Sequence, residues 1–178
     1  MRDDLGYIHV YTGDGKGKTT ASVGLAARML GRGKSVLFAQ LFKYEEESGE
    51  IVSLKKLGAK YMAYSHRHPA LCKSYSEKEL EHLANECELF VENVFEIAKK
   101  DKYGLLVLDE IGPAFSCNFI AVDKLISMIR SKPEHTELVM TGQNIPKKII
   151  DLADYVTFMN KGKHIYDNGV LAREGIEK

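Results

Sequence analysis

The stretch from Thr12 to Thr20, TGDGKGKTT, constrains the fold of this chain more than any other feature. It follows a short apolar run, YIHVY (7–11), and precedes a helix-like pattern that ends in glycine, TTASVGLAARMLGRG (19–33). Glycines at alternate positions let the backbone turn tightly and direct its N–H groups inward, and the start of the helix adds the positive end of its dipole. A strand, a glycine-rich loop and a helix in this order predict a phosphate-binding loop.

The side chains of this loop suit a phosphate ligand. Lys18 supplies a full positive charge to phosphate oxygens, Lys16 is a second nearby cation, and the Thr19 hydroxyl can bind a magnesium ion. The usual spacing, G-x-x-x-x-G-K-[ST], requires glycine where this chain has Thr12, so only the GKT end of the motif is intact. A glycine- and lysine-rich surface turn without function is the alternative interpretation.

Six short runs rich in β-branched and aromatic residues alternate with longer helical patterns. The runs are 7–11, 35–42, 60–64, 105–109, 136–141 and 155–160. Their apolarity is continuous, which is typical of parallel strands buried on both faces. The predicted helices are 19–33, 76–100 and 146–154. This pattern predicts an α/β fold, with a mostly parallel β-sheet flanked by helices, in one domain that spans residues 1–178.

An acidic pair ends the fourth apolar run. Asp109 and Glu110 follow LLVL, and ligands of parallel α/β sheets bind outside the carboxyl ends of the strands. Phosphate-loop proteins use an acidic residue in this setting to orient a metal ion and its waters. The pair would lie close to the phosphate loop if strands 7–11 and 105–109 were neighbours in the sheet. The alternative is a turn or helix cap at Asp109, with Glu110 in solvent.

Composition excludes several classes of protein. The 25 basic and 25 acidic side chains balance, so no net field attracts nucleic acid or an anionic membrane. No apolar run approaches the roughly 20 residues that span a bilayer, and the first residues, MRDDLG, contain no apolar segment typical of a signal peptide. Cys72, Cys87 and Cys117 form no C-x-x-C pair. We expect a cytoplasmic protein with free thiols and no nucleic-acid or membrane partner.

Four segments together resemble one known family. They are YTGDGKGKTTASVGLAAR (11–28), LLVLDEI (105–111), TGQNIPKKIIDLADYVTFM (141–159) and GKHIYDNGVLAREGIEK (162–178). The pattern is similar to the corrinoid adenosyltransferases of the ATP:cob(I)alamin type, over nearly the whole chain. In that family the loop is characteristically Gly-Asn/Asp-Gly-Lys-Gly-Lys-Thr-Thr, which fits the shortened motif. The resemblance implies a RecA-like phosphate-loop fold and a homodimer.

The resemblance also implies a reaction. Family members transfer the 5′-deoxyadenosyl group of ATP to cobalt(I) of a corrinoid, such as cobalamin or cob(I)yrinic acid a,c-diamide, and release triphosphate. Because charge builds on the leaving phosphate chain, cations fixed around that chain stabilise the transition state selectively. The cobalt is the nucleophile, so no protein nucleophile or general base is needed. A flavoprotein could supply the reducing electron.

Matched by position, the resemblance assigns roles to residues of this chain. Lys18 and Glu110 are the candidate catalytic residues. The candidate ligands of Mg²⁺ or Mn²⁺ are Thr19, Asp109 and Glu110. The residues expected to bind ATP or the corrinoid are Gly13, Asp14, Gly15, Lys16, Gly17, Lys18, Thr19, Thr20, Arg28, Tyr64, His66 and His68.

One loop departs from the family pattern. The stretch MAYSHRHPALCKS (62–74) has His66 and His68 where the family often has phenylalanine and tryptophan, which crowd the corrin and displace its axial ligand. An imidazole could fill this space, bind the cobalt, or bind an unrelated metal ion. The alternative is that both histidines are ordinary polar loop residues and a nearby tyrosine, such as Tyr64, crowds the corrin.

Two other functions remain open from the sequence. A phosphate-loop protein of this size could be a small-molecule kinase or an ATPase. A non-catalytic sensor of ATP or a corrinoid could keep the nucleotide loop and lose the aromatic pair, as His66 and His68 allow. The products formed from ATP distinguish these functions from adenosyl transfer.

Overall fold

The computed structural model describes residues 5–43, 48–66 and 75–177. Within these ranges, six strands and six α-helices alternate along most of the chain, and a short 3-10 helix follows the last strand. The elements in chain order are β1 (Ile8–Thr12), α1 (Lys18–Gly31), β2 (Val36–Leu41), α2 (Gly49–Lys56), β3 (Lys60–Tyr64), α3 (Glu77–Lys100), β4 (Leu105–Asp109), α4 (Gly112–Ser116), α5 (Val122–Ser131), β5 (Glu137–Gly142), α6 (Lys147–Ile150), β6 (Tyr155–Phe158) and the 3-10 helix (Ile165–Asn168).

The six strands form one sheet in the order β3-β2-β4-β5-β1-β6, and every neighbouring pair is parallel. The predicted α/β fold, a parallel sheet flanked by helices, is confirmed. Each predicted strand is present and differs only at its ends, as element boundaries commonly do. Every residue of β2 and β4 is buried, whereas three of the four in the edge strand β6 are exposed. Continuous apolarity therefore marks the centre of the sheet.

The strands β1 and β4 are not neighbours in the sheet. The strand β5 lies between them and pairs with both. The loop after β1 and the acidic pair after β4 nevertheless meet, because α1 begins at the loop and packs across β4 and β5. The contact between the two motifs thus comes from the helix and not from adjacent strands.

Apolar side chains cover both faces of the sheet. Phe38 and Val107 point to the face that packs against α1 and α2, while Leu37 and Leu106 point to the face covered mainly by α3 and α5. This alternation follows from the two-residue period of a strand. Polar side chains at the carboxyl ends of the strands therefore face α1 only at alternate positions.

The helix α3 confirms the predicted helix 76–100 and buries an apolar face against the sheet. The Ser76 hydroxyl accepts a hydrogen bond from the backbone N–H of Glu79 at 3.4 Å, and the Glu79 carboxylate accepts one from the backbone N–H of Ser76 at 2.7 Å. Val91 and Val94 are fully buried on the sheet side. The helices α4 and α5 were not predicted; the N-cap of α5, Ala121, provides no side-chain hydrogen bond that would mark its start. No helix in the described ranges is long and apolar enough to cross a membrane.

Candidate active site

The phosphate loop joins β1 to α1 and lies against the end of β6. The N–H of Gly15 donates to the carbonyl oxygen of Met159 at 2.6 Å, and the N–H of Met159 donates to that of Thr12 at 2.7 Å. A Cβ atom at Gly13 or Gly15 would lie 2.5 or 2.6 Å from the Met159 oxygen. Because β6 approaches so closely, side chains at these two positions are excluded. The glycine spacing of the motif therefore reflects backbone packing as well as ligand binding.

Lys18 is the first residue of α1 and is almost buried, with 8% of its surface exposed. Its ammonium donates hydrogen bonds to the carbonyl oxygens of Gly13 at 2.8 Å and Gly15 at 2.7 Å. These contacts fold the side chain back along the loop and fix the position of its charge. A positive charge held in place before the ligand arrives stabilises an anion without further reorganisation.

The carboxylate of Asp109 ends β4 and is buried below α1. It accepts hydrogen bonds from Thr141 at 2.7 Å, Gln40 at 2.8 Å and Thr19 at 3.2 Å. Burial raises the pKa of Asp109, and the hydrogen bonds from Thr141 and Gln40 offset part of that rise. The contact with Thr19 connects the acidic pair to the phosphate loop. It leaves the hydroxyl oxygen of Thr19 able to bind a cation.

Glu110 has an unusual backbone conformation for a side chain of its size. Its φ is +61°, in the left-handed region that glycine favours, and its N–H donates to the hydroxyl of Thr141 at 2.9 Å. Burial raises the pKa of Glu110, and the neighbouring charge of Asp109 raises it further. A strained backbone that turns a carboxyl group toward a cavity is a feature that functional sites tolerate at a cost in stability.

Lys18, Thr19 and Glu110 border a cavity of about 610 Å³ at the carboxyl edge of the sheet. Four parts of the chain line it. They are the loop and the start of α1 (Asp14, Gly15, Lys16, Gly17, Lys18, Thr19, Thr20, Val23), the β2–α2 region (Lys43, Gly49, Glu50, Ser53), the ends of β4 and β5 (Glu110, Gln143), and the C-terminal segment (His164, Gly175, Ile176, Glu177). The volume is within the range of small-molecule sites, and its lining combines cations, hydroxyl groups and carboxylates.

The C-terminal segment lies over the phosphate loop. The backbone N–H of Lys161 donates to the carboxylate of Asp14 at 2.9 Å, and this bond is the largest influence lowering the pKa of Asp14. At the far end of the segment, the carboxylate of Glu177 lies 3.9 Å from the ammonium of Lys16 and accepts hydrogen bonds from Arg173. The segment thus closes one side of the cavity with contacts that involve charged residues of the loop.

Comparison with known proteins identifies the family. The model of the family described as "ATP:corrinoid adenosyltransferase BtuR/CobO/CobP" matches residues 4–177. This chain belongs to that family. It is 30% identical over 176 residues to the corrinoid adenosyltransferase CobA of Salmonella typhimurium, covering 99% of this chain and 87% of the relative. It is 27% identical to the corrinoid adenosyltransferases of Escherichia coli K12 and Pseudomonas aeruginosa, again over 99% of this chain and over 87% and 85% of theirs.

A solved structure shares the fold of this adenosyltransferase at low identity. It is the flagellar accessory protein FlaH from Methanocaldococcus jannaschii, with a TM-score of 0.59 and 14% identity. The match covers 86% of this chain and 71% of FlaH. At this identity the likeness concerns the fold alone.

The adenosyltransferase cavity brings together most of the residues named from the sequence. Seven consecutive loop residues, from Asp14 to Thr20, line it, and Glu110 faces it from the end of β4. Gly13 contributes its carbonyl oxygen to Lys18, and Asp109 reaches the site through Thr19. The distant motifs therefore converge at one edge of the sheet, although the ligands they hold remain predictions.

Arg28 and Tyr64 lie elsewhere in the adenosyltransferase fold. Arg28 is exposed in the last turn of α1, at the opposite end of the helix from Lys18. Tyr64 is 4% exposed, and its hydroxyl donates to the carbonyl oxygen of Leu83 at 2.8 Å. Neither residue lines the cavity. A helix of this length separates its two ends by much of the depth of the sheet.

His66 follows β3 and lies beside α3. Its ring contacts Tyr64, with centroids 4.4 Å apart, and its Nε2 lies 3.5 Å from the carboxylate of Glu86, which His82 also approaches at 3.4 Å. Within the described residues, no three His, Cys, Asp or Glu side chains form a group that could hold a metal ion. His68 lies outside the described residues. The contact with Glu86 is one that a polar loop residue can make, and both interpretations of His66 remain predictions.

Several residues at the site were not predicted to contribute. Gln40 and Thr141 bind Asp109, and Lys43 pairs with Glu50 at the cavity. One signal was available: Gln40 interrupts the apolar run SVLFAQLF with an amide. A buried polar side chain requires a hydrogen-bond partner, so its presence in a central strand indicates a polar site nearby.

Proposed function

We propose that this protein transfers the 5′-deoxyadenosyl group of ATP to cobalt(I) of a corrinoid and releases triphosphate. The observation that carries this proposal is the family match over residues 4–177, on a chain whose phosphate loop and Glu110 border one cavity. A small-molecule kinase or an ATPase would have the phosphate loop but would not match this family. A sensor would have the loop and match the family, and would differ only in lacking catalysis.

The triphosphate is expected to bind at the loop. Lys18 and the loop N–H groups supply positive charge from a nearly buried side chain and a helix N-terminus. Lys16, whose side chain is 47% exposed, adds a cation that can move toward the phosphates. Because the bond that breaks joins the 5′ carbon to oxygen, negative charge accumulates on the leaving triphosphate, and charges already fixed there lower the barrier.

The donor set fits a divalent cation. Thr19, Asp109 and Glu110 offer hard oxygen atoms, which Mg²⁺ and Mn²⁺ prefer. Thr19 and Glu110 line the cavity, whereas Asp109 is buried behind them and bonded to Thr19, so we assign direct contact to the first two and an orienting role to Asp109. When bound, the ion would neutralise part of the charge on the triphosphate. In this proposal the side chains at the site hold and orient the nucleotide and the cation, and none of them acts as a nucleophile.

The finer details of assembly and setting are also proposals. We propose a homodimer, which sedimentation equilibrium would test by a mass twice the 20.0 kDa of the chain. We propose a flavoprotein as the source of the reducing electron, because cobalt must reach the +1 state before it attacks carbon. We propose the cytoplasm as the compartment; Cys87 is a buried free thiol, as is common in reducing surroundings.

Product analysis tests the proposed function. The purified protein is incubated anaerobically with ATP, Mg²⁺ and chemically reduced cobalamin, and the products are separated by chromatography. We expect adenosylcobalamin and triphosphate in equal amounts. ADP and phosphate would instead identify a kinase or an ATPase. Binding of ATP and cobalamin without any product would identify a sensor, and either result would overturn the proposal.

A further inference from the structure

Gln40 occupies a position in the sheet that is costly for an amide. It lies in β2 with no exposed surface, in a strand whose other five residues are apolar. In the register of the sheet Gln40 is opposite Asp109 of β4, so the two side chains lie beside each other at the carboxyl ends of neighbouring strands. Burying a polar group in a central strand is unfavourable unless hydrogen bonds compensate it. Its partners therefore indicate why an amide is present.

The amide of Gln40 is held at both of its ends. Its Nε2 donates to Oδ2 of Asp109 at 2.8 Å and lies 3.4 Å from a carboxylate oxygen of Glu50. Its Oε1 accepts a hydrogen bond from the hydroxyl of Tyr61 at 3.2 Å. Since a tyrosine hydroxyl donates one proton and a carboxylate only accepts, these partners fix which end of the amide faces Asp109.

The same oxygen of Asp109 receives the hydroxyl of Thr19. Thr19 donates to Oδ2 at 3.2 Å, while Thr141 occupies Oδ1 at 2.7 Å. A chain of hydrogen bonds therefore runs from Tyr61 through Gln40 and Asp109 to Thr19, the loop residue that lines the cavity. Rotation of the Asp109 carboxylate would move the acceptor away from Thr19, and Gln40 opposes that rotation.

We propose that Gln40 is a positioning residue: its amide holds the Asp109 carboxylate so that Thr19 presents its oxygen to the divalent cation that accompanies ATP, and Tyr61 fixes the orientation of that amide. The inference rests on the proposed function for the identity of the nucleotide and the cation. It requires no contact between Gln40 and either substrate. Groups that orient metal ligands in this way typically change metal affinity by about 10- to 100-fold when they are removed.

The experiment measures nucleotide binding with and without metal. The dissociation constant of ATP is determined by calorimetry in the presence of Mg²⁺ and in the presence of a chelator, for the wild type and for Gln40→Leu. We expect the variant to bind ATP about 10-fold more weakly when Mg²⁺ is present and nearly as well as the wild type in the chelator. Equal weakening in both conditions, or no weakening in either, would overturn the proposal.

A milder variant and a matched control distinguish the loss of positioning from misfolding of the variant protein. Tyr61→Phe removes only the hydroxyl that orients the amide, and we expect the same metal-dependent loss at a smaller size, about 3-fold. Phe38→Leu changes another fully buried residue on the same face of β2. It should lower the melting temperature without changing the ratio of the two dissociation constants. If Phe38→Leu changed the ratio as much as Gln40→Leu did, the effect would be general destabilisation and the proposal would be wrong.

The result is independent of adenosyl transfer. Binding of ATP with and without Mg²⁺ is measured without a corrinoid, so a protein that formed no adenosylcobalamin could still show the metal-dependent loss. That outcome would overturn the proposed function and support the role of Gln40. The reverse outcome, normal transfer by the wild type and no metal-dependent loss in the two variants, would overturn only the role of Gln40.

Discussion

Two carboxylates on the α1 face of the sheet, one at each edge, differ in the direction in which the fold shifts their pKa. Asp109 ends β4 at the cavity, and Glu137 begins β5 at the opposite edge. Each accepts three hydrogen bonds: Asp109 from Thr19, Gln40 and Thr141, and Glu137 from His9 and two backbone N–H groups. Burial raises the pKa of Asp109. Burial also acts upward on Glu137, but its hydrogen bonds outweigh it, and the pKa is lowered.

The difference lies in how completely each charge is compensated. Asp109 is 1% exposed and all three of its donors are neutral side chains. Glu137 retains some exposure, and its partners include the imidazole of His9 at 2.6 Å and the N–H groups of Gly6 and Tyr7. At the opposite edge, the fold itself therefore compensates the charge of Glu137. At the cavity edge, the fold alone compensates the negative charge of Asp109 only in part. A functional site can retain such an imbalance because its ligand supplies the missing charge.

The largest expected effect comes from removing the fixed cation at the cavity edge. Lys18→Ala should lower kcat/KM for ATP by about 1,000-fold, because a nearly buried charge facing the triphosphate is lost. Lys16→Ala is the matched control from the same loop. Since that side chain is 47% exposed, we expect a loss of no more than about 10-fold. Steady-state kinetics with saturating reduced cobalamin measures both.

The melting temperatures of both variants are measured together with their kinetics. Lys18 makes two hydrogen bonds to loop carbonyl oxygens, so a modest decrease is expected for Lys18→Ala. If Lys16→Ala lost as much activity as Lys18→Ala, burial would not be what makes Lys18 effective.

The sequence predicted the parts of this site that local order specifies. The phosphate loop and the Asp109–Glu110 pair could be identified because the residues that specify a strand, a turn and a helix start lie within a few consecutive positions. Gln40 and Thr141 could not, since their role depends on β2, β4 and β5 lying side by side, an order that short-range patterns do not contain. The same limit applies to the strand order, so the sequence left open whether β1 and β4 are neighbours. Tertiary contacts through α1, and not adjacency along the chain or in the sheet, bring the motifs together.

The second prediction compares the two carboxylates by activity. Asp109→Asn should lower kcat/KM for ATP by about 100-fold, because Thr19 loses a charged acceptor and the divalent cation loses nearby negative charge. Glu137→Gln, at the other edge, should change kcat/KM by less than about 2-fold. Comparable losses in the two variants would contradict the assignment of function to one edge.

Stability should respond in the opposite sense to activity at Asp109. Its raised pKa means that its contribution to stability is present at pH values below the ordinary carboxyl range and is lost as the pH rises. Where the carboxylate is ionised, it therefore opposes folding. We expect Asp109→Asn to leave the free energy of unfolding at pH 7 equal or higher, as urea denaturation would measure. A decrease of more than about 1 kcal/mol would show that the charge is well compensated, and the contrast with Glu137 would fail.

The smallest expected effect is the pH dependence of Glu137→Gln. Because hydrogen bonds lower the pKa of Glu137 below its ordinary value, the carboxylate contributes stability at pH above that value and loses it as the pH falls through the lowered pKa. We expect the substitution to reduce the free energy of unfolding by about 1 kcal/mol at pH 7, a modest size because the group is partly solvated. The difference should shrink as the pH falls below about 4.5 and disappear at lower pH.

The control for this last prediction is Glu134→Gln, three residues earlier and exposed to solvent. Its free energy of unfolding should follow that of the wild type at every pH, because an exposed carboxylate makes little difference to folding. A pH-independent loss in Glu137→Gln would mean that the side chain contributes through packing and not through its charge. The two edges would then differ in function alone, and the electrostatic contrast between them would rest only on Asp109.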